Sequence, residues 1–488
     1  MANSDHLERL QTPDWNAWRE QSTGVTPDLT DVKLTGMDLS GKNLANADLS
    51  RSKLEGTNLE GASLQRAVLQ GTLFKGTNLS RANLSDTDLD YQKFDGVVAA
   101  GAILRNVSFK SASARESNFT GADLTGAKLE GSDFTATSFA NGKLLYANFR
   151  GVSIDRCIFE ACDLQQAVFD SVTYKNGNFD KANLTMSFFR DAQLQGTSFR
   201  GAKLQRATMR AANLAACNFT GADLSEADLE RTLCNGSVFE NANFRKTCAR
   251  QAEFKSANFL GANFEESDFS GAILDKLDLR VIKMKFPVFT NARLMGSVAI
   301  KANLRGANFS DADLSKADFS EANLEGGILQ RAKLIDATFR RANLKRARLS
   351  MVIATNADFS GTNLVGAEAE EGEFTGADFR FAQLIGAKLE GCVFKNAMVA
   401  HADFSEAKLS GCNFGGARGE GAKFTGQLHL KLVLAASSLF SSAKKETKKV
   451  ENKQELMRQA RIAALEKQSK ERDRSVASDD DTAPPRKK

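Results

Sequence analysis

The side chains with most chemistry to offer are basic, and they come in two runs. The first is Lys276, Arg280, Lys283 and Lys285; the second is Arg331, Lys333, Arg340, Arg341, Lys345, Arg346 and Arg348, opposed only by Asp336. Cations at this density suit an acidic protein patch or a nucleic-acid backbone, against a baseline in which charge runs are solvated faces. Other reactive types are sparse or ill placed. His6 and His429 lie near the ends, and His401 stands on an outward turn. Cys157, Cys162, Cys217, Cys234, Cys248, Cys392 and Cys412 do not form the close pairs a zinc site needs. No Gly-rich phosphate loop, H-E-x-x-H, G-x-S-x-G or Cys-His pairing occurs. The sequence therefore points to no catalytic residue, metal ligand or cofactor, and argues against an enzyme.

What must position the basic side chains is a repeat. From Ala302 the chain reads ANLRGANFSDADLSKADFSEA, with Leu or Phe at every fifth place, and this register holds from Leu34 to Phe424 with no residue inserted or deleted. Only a few of these places are not large and apolar: Ala99, Ala114, Cys234, Ala249, Ala299, Ala354, Ala369 and Gly419, with Val399 of middling size. Two residues before each large one stands a small one, as at Ala302, Ala307, Ala312, Ala317 and Ala322. A period of five is neither the 3.6 of a helix nor the 2 of a flat strand, so each unit is one element of a solenoid with one large and one small residue inward. The Asp or Asn before the large residue belongs to the repeat, which makes the many carboxylates architectural rather than catalytic.

The number of units per coil follows from the columns. Steps of 20 give Phe119, Phe139, Phe159, Phe179, Phe199, Phe219, Phe239 and Phe259, then Phe319, Phe339, Phe359 and Phe379. A second column runs Leu44, Leu64, Leu84 and on to Leu224. Four pentapeptides per coil give a square section. The A-[DN]-[LF]-x-x units resemble those of pentapeptide-repeat proteins over about four fifths of the chain. That resemblance implies an all-β fold, a right-handed parallel quadrilateral β-helix of about 20 coils of 20 residues, on the order of 95 Å long at ~4.8 Å per coil. It implies little about function, because members bind different things; a few protect DNA gyrase by imitating B-form DNA.

Residues 1–24 lie outside the repeat. Thr12-Pro13-Asp14 has the pattern of a helix start, with Thr12 as N-cap. Trp15 and Trp18 then share a face suited to covering the first coil, since a solenoid end exposes apolar side chains and strand edges; an aromatic partner site is the alternative. No signal sequence is expected. The repeat body occupies 25–425. Near Ala99 and Ala114 two large positions shrink, and Tyr91 and Val97 are the expected fillers. From Asp275 to Phe289 the small position is held by Leu277, Ile282 and Pro287, which sites built for Ala cannot take without a bulge or bend.

After 425 the register dissolves. Residues 426–442, with alternating Gln427 to Leu434, read as a closing segment too short to cross a bilayer. Residues 443–473 read as a charged helix, and 474–488 as a disordered tail. The inward cysteines fit a reducing compartment, and Cys392 and Cys412, one coil apart, are expected to stay reduced although within bridging distance. The net charge of +5 resides in the residues after 425, so the body is near neutral and a poor imitation of DNA. The expectation is a cytoplasmic, bacterial-type scaffold or binding rod with a protein partner, using Lys276, Arg280, Lys283, Lys285, Arg340, Arg341, Lys345, Arg346 and Arg348, and self-associating if at all through the C-terminal region. The rival reading is a regulator of gyrase, another topoisomerase or nucleic acid.

Overall fold

The repeat satisfies its main-chain hydrogen bonds one pentapeptide at a time. In residues 343–347 of the computed structural model, Asn343 N–H donates to Ala322 O at 2.9 Å, Leu344 to Asn363 O at 2.7 Å, Arg346 to Val365 O at 3.0 Å and Ala347 to Leu344 O at 3.0 Å. The fifth amide, Lys345, donates to Asn343 Oδ1 at 3.2 Å. No amide of the unit is orphaned, as a packed backbone requires. This explains the Asp or Asn before each large residue: its oxygen folds back onto the amide two residues on. Arg346, the third turn residue, takes φ 56°, the left-handed conformation such corners demand.

Residues 3–425 are described, within a compact unit spanning Met1–Gly426. The segments expected over 426–442, 443–473 and 474–488 lie outside the described residues. Parallel bridges join residues 20 apart, beginning with Asp28 to Asp48, Lys33 to Lys53, Asp38 to Asn58 and Asn43 to Ser63. These four pairings start four walls, called here by those first residues. The solenoid is all-β, but each wall contributes one bridging residue per coil rather than a strand, because turns consume the rest of each unit. The only two-residue strands among the described residues are β1, Asp403–Phe404, and β2, Lys423–Phe424, paired in parallel.

The large residues fill the interior. Phe179 is fully buried, its ring 5.2 Å from those of Phe159 and Phe199. Ala99 and Ala114 are buried beside Phe94, Phe109 and Phe119, and Val97 is buried as expected of a filler. Tyr91 does not fill: it is 79% exposed at a corner with φ 62°, because corner positions aim outward. Cys392 and Cys412 are free thiols, each against the carbonyl 23 residues earlier, Ala369 O at 2.8 Å and Leu389 O at 2.9 Å. Burial pushes the thiols of Cys157, Cys162 and Cys234 up to about 12.

Two helices precede the coils: α1, Ser4–Leu10, and α2, Trp15–Gln21. The expected helix start at Thr12 is displaced. Asp14 is the N-cap of α2 without a side-chain bond, and the Thr12 hydroxyl donates to Arg9 O at the end of α1. The first helix is capped by Asn3, whose side chain accepts from the amides of Asp5 and His6. Trp15 is fully buried, its indole N–H donating to Asn43 O at 2.9 Å, and the half-buried Trp18 packs on it at 5.0 Å. Arg19 donates to Ala45 O and Val25 O at 2.7 Å each. Both tryptophans thus lie against the first coil. Among the described residues, no helix is long and apolar enough to cross a membrane.

The ladder is interrupted at four places among the described residues: Leu73 to Lys93, Ser153 to Thr173, Asn258 to Asp278 and Lys283 to Asn303 form no bridge. At the second, Tyr174 replaces the usual Leu or Phe, and its hydroxyl reaches Cys157 O at 2.5 Å and accepts from Asn178 N–H at 2.7 Å. An open crevice of about 460 Å³ lies there, lined by Ser153, Asp155, Thr173 and Lys175. The last two interruptions lie beside Leu277 and Ile282, whereas the wall beside Pro287 keeps its bridges from Asp268 through Val288 to Asn308; all three residues are buried at sites built for Ala. The expected bulge therefore takes the form of lost pairing on two adjacent walls.

Candidate functional site

Which basic residues share a face is decided by the 20-residue register. On the Asn43 wall each coil presents its bridging residue and the corner residues before and after it. In chain order the wall carries Arg280, Lys283 and Lys285, then Lys301 and Arg305, then Glu321 and Glu325, then Arg340, Arg341, Lys345 and Arg346. Seven of the nine expected partner residues are therefore on one wall. Lys276 is not, standing at the corner between the Lys33 and Asp38 walls, and neither is Arg348, which bridges Ile328 and Glu368 on the Asp28 wall. Arg331 and Lys333 face other directions again, because a run of 18 residues nearly circles the coil. Lys301 and Arg305 were missed by reading along the chain; reading down the columns would have found them, one coil after Val281 and Lys285.

Some of these charges are answered. Arg280 pairs with Asp278 at 2.6 Å and Arg340 with Asp358 at 3.0 Å. The Arg280 hydrogen bond holds the Asp278 carboxyl below its ordinary value. Burial pushes Asp358 up, but Ser360 and Arg340 outweigh it and hold that carboxyl down. Looser pairs join Lys285 to Glu265 at 3.8 Å, Lys301 to Glu321 at 3.6 Å and Arg305 to Glu325 at 3.9 Å. Exposed pairs at such distances contribute little. Lys283, Arg341, Lys345 and Arg346 enter no ion pair among the described residues.

The wall also holds its cations in place. An added Cβ on Gly361 would lie 3.3 Å from Arg341 Cγ, and one on Gly366 3.8 Å from Arg346 Cγ, so both stems run over glycine corners of the next coil. Down the centre, Asn323 and Asn343 join by a side-chain bond at 3.1 Å, and Asn343 also accepts from Lys345 N–H. Phe286 is 54% exposed at the edge, with Lys285 Nζ 5.8 Å from its ring centroid.

One further constellation escaped the sequence. Asp228, Glu230 and Cys248 bring ligand atoms within 4.8 Å of one another, a grouping visible only once coils are stacked. Arg210 occupies it, bonded to Asp228 and lying 3.2 Å from Glu230, so the carboxylates already have a cation. His401 is exposed at a corner and stacks on Phe381 at 5.0 Å.

Family comparisons follow the same register. Residues 132–209 match a family model described as pentapeptide repeat region, and nine segments between residues 28 and 426 match one described as pentapeptide repeats (8 copies). No curated protein matches the chain. Among solved structures, the chain is similar to HetL, a pentapeptide repeat protein involved in heterocyst differentiation regulation from the cyanobacterium Nostoc, at 22% identity over 62% of this chain and 91% of that one, TM-score 0.15. It is similar to QnrB1, a plasmid-mediated fluoroquinolone resistance protein, at 22% identity over 50% and 97%, TM-score 0.20. A pentapeptide repeat protein from the cyanobacterium Cyanothece, Rfr23, is 18% identical over 32% and 91%, TM-score 0.15.

Proposed function

The chain belongs to the pentapeptide-repeat family, and from that premise we propose that it is a non-enzymatic scaffold, a cytoplasmic binding rod of bacterial type that engages a protein partner. The observation that supports this most is the Asn43 wall, where Lys283, Arg341, Lys345 and Arg346 enter no ion pair among the described residues of a near-neutral body. Like charges held together on a rigid wall cost stability, so they are the side chains a partner would neutralise. Arg and aromatic residues, both present here, are also the types enriched at protein interfaces.

In the finer form of this reading, about 20 right-handed coils form one body over 25–425, Trp15 and Trp18 act as its lid, and the C-terminal region provides for self-association. The 20-residue bridging and the seat of Trp15 on Asn43 support the first two parts. Lys276 and Arg348 then belong to the rims of the contact rather than its centre.

The test is a pull-down with the full chain, with Arg341→Glu/Lys345→Glu/Arg346→Glu, and with residues 426–488 removed. A partner retained by the full chain and lost with the charge reversal supports the rod. A parallel gyrase supercoiling assay decides the rival: inhibition or protection at stoichiometric protein would replace the scaffold reading with a topoisomerase regulator.

A further inference from the structure

Resting on that protein-binding reading, we propose that the break in the Asn43 wall between Lys283 and Asn303 seats an extended, acidic segment of the partner protein. The wall is regular on either side: Asn263 bridges Lys283, and Asn303 bridges Asn323. Between them the pairing is gone. In the regular unit at Asn343, the bridging amide, the next amide and the third turn amide each find a carbonyl on a neighbouring coil. Here the N–H groups of Asn303, Met284 and Phe286, with the C=O groups of Ile282, Asn303 and Arg305, make no hydrogen bond among the described residues.

Three features of the same spot define what fits it. First, the rim is cationic: among the described residues Lys283 enters no ion pair, and Lys285, Lys301 and Arg305 have only the long, exposed pairs described above. Second, the rim is apolar at one edge. Phe286 lies against Gly306, where an added Cβ would meet the ring at 3.0 Å, and Met284, a core position, is only partly buried. Third, the free backbone groups are of both kinds. A phosphodiester backbone offers acceptors and leaves the carbonyls unanswered, whereas a peptide in extended form offers N–H and C=O in alternation and its carboxylates meet the lysines.

The probe is a fluorescein-labelled octapeptide of alternating Asp and Val, set against a labelled dT12 oligonucleotide, each titrated into the full chain by fluorescence anisotropy. Amide hydrogen exchange is followed with the peptide bound. The peptide is expected to bind, to slow exchange at Met284, Phe286 and Asn303, and to lose about tenfold or more in affinity with Lys283→Glu/Lys301→Glu/Arg305→Glu. Lys33→Glu/Lys53→Glu, on another wall, is expected to leave it unchanged. Tighter binding of dT12 than of the peptide, unchanged exchange at those amides, or full affinity in the triple variant overturns the proposal. The exchange measurement needs no mutant, so a variant that folds poorly leaves the test intact. If the partner capture described above holds while the peptide fails, this inference falls and the rod stands; if capture fails too, both fall.

Discussion

Between Phe119 and Phe259 the Asp38 wall is backed by an unbroken column of rings, with successive centroids 4.7 to 5.5 Å apart. One coil later the same column holds Leu279 and then Ala299, and the wall outside it loses the bridge from Asn258 to Asp278. The two regions share the five-residue register without a slip. They differ in what the small position holds: Ala182, Thr197 and Ala202 around Phe179 and Phe199, against Leu277, Ile282 and Pro287 in the irregular coils. The register is thus a property of the large residue and the turn, while continuity of the walls depends on the small one. Beside Leu277 and Ile282 the register holds while hydrogen bonds between coils give way; beside Pro287 the bridges through Val288 remain.

If that contrast is right, removing a large residue should cost most where the column is complete. Phe179→Ala is expected to lower the opening free energy of the neighbouring coils by about 3–5 kcal/mol, since it deletes a fully buried ring with no slack to collapse into. Met284→Ala, in the irregular coil and partly exposed, is expected to cost only about 1 kcal/mol. Native-state amide exchange reads both locally, which suits a stack of nearest-neighbour units. Equal costs would mean the irregular coils are packed as tightly as the regular ones.

The end of the stack offers a second contrast. Trp15→Ser/Trp18→Ser removes the aromatic pair lying on the first coil, with an expected local loss of about 3 kcal/mol. Fast exchange at Leu29, Leu34 and Leu39 with unchanged protection at Phe179 would mark fraying from one end. A monodisperse variant with full protection at those leucines would show that the first coil needs no lid.

Much of this was legible in the sequence, because the five-residue register is local and the aromatic column is arithmetic. The square coil, the buried cysteines and the disturbance at Leu277 to Pro287 all followed from residue size at fixed positions. What failed to follow concerns direction and capping. Tyr91 was read as a filler because it is large and close to Ala99, yet its corner backbone turns it outward. The helix α1 was missed because its signal is one residue, Asn3, without the Pro that drew attention to Thr12. The basic wall was half seen: runs along the chain scatter around a coil, and only the bridges show that Lys301 and Arg305 stand between the two runs.

Repairing the overfilled site should move the irregular region toward the regular one. In Leu277→Ala/Ile282→Ala/Pro287→Ala the small site returns to its usual size and residue 287 regains an N–H. The amides of Phe259, Met284 and Phe286 are then expected to exchange about tenfold more slowly, the equivalent of one restored hydrogen bond at ~1.4 kcal/mol. Unchanged exchange would show that something other than crowding opens the walls, such as the repulsion among the lysines on the rim.

The smallest effect separates the regions by acid. On the Asp28 wall, whose bridges are unbroken among the described residues, burial pushes the Asp268 carboxyl up, but the Ser270 hydroxyl, Arg250 and the Ser270 amide together hold it below its ordinary value. A carboxyl that protonates less readily folded than unfolded stabilises the fold above its unfolded pKa of about 3.9, and that contribution is lost as pH falls through the lower folded value. Stability should therefore be flat from neutral pH to about pH 5 and decline below about pH 4. Asp268→Asn should soften the decline by well under 1 kcal/mol, because its Arg250 partner is mostly exposed and the pair is screened by solvent. The amides of Phe269 and Ala249, on either side of Asp268 in its wall, should report the loss, while those of Met284 and Phe286, with no such bonds to lose, should not respond. A drop in acid that is uniform along the stack would instead point to net charge repulsion.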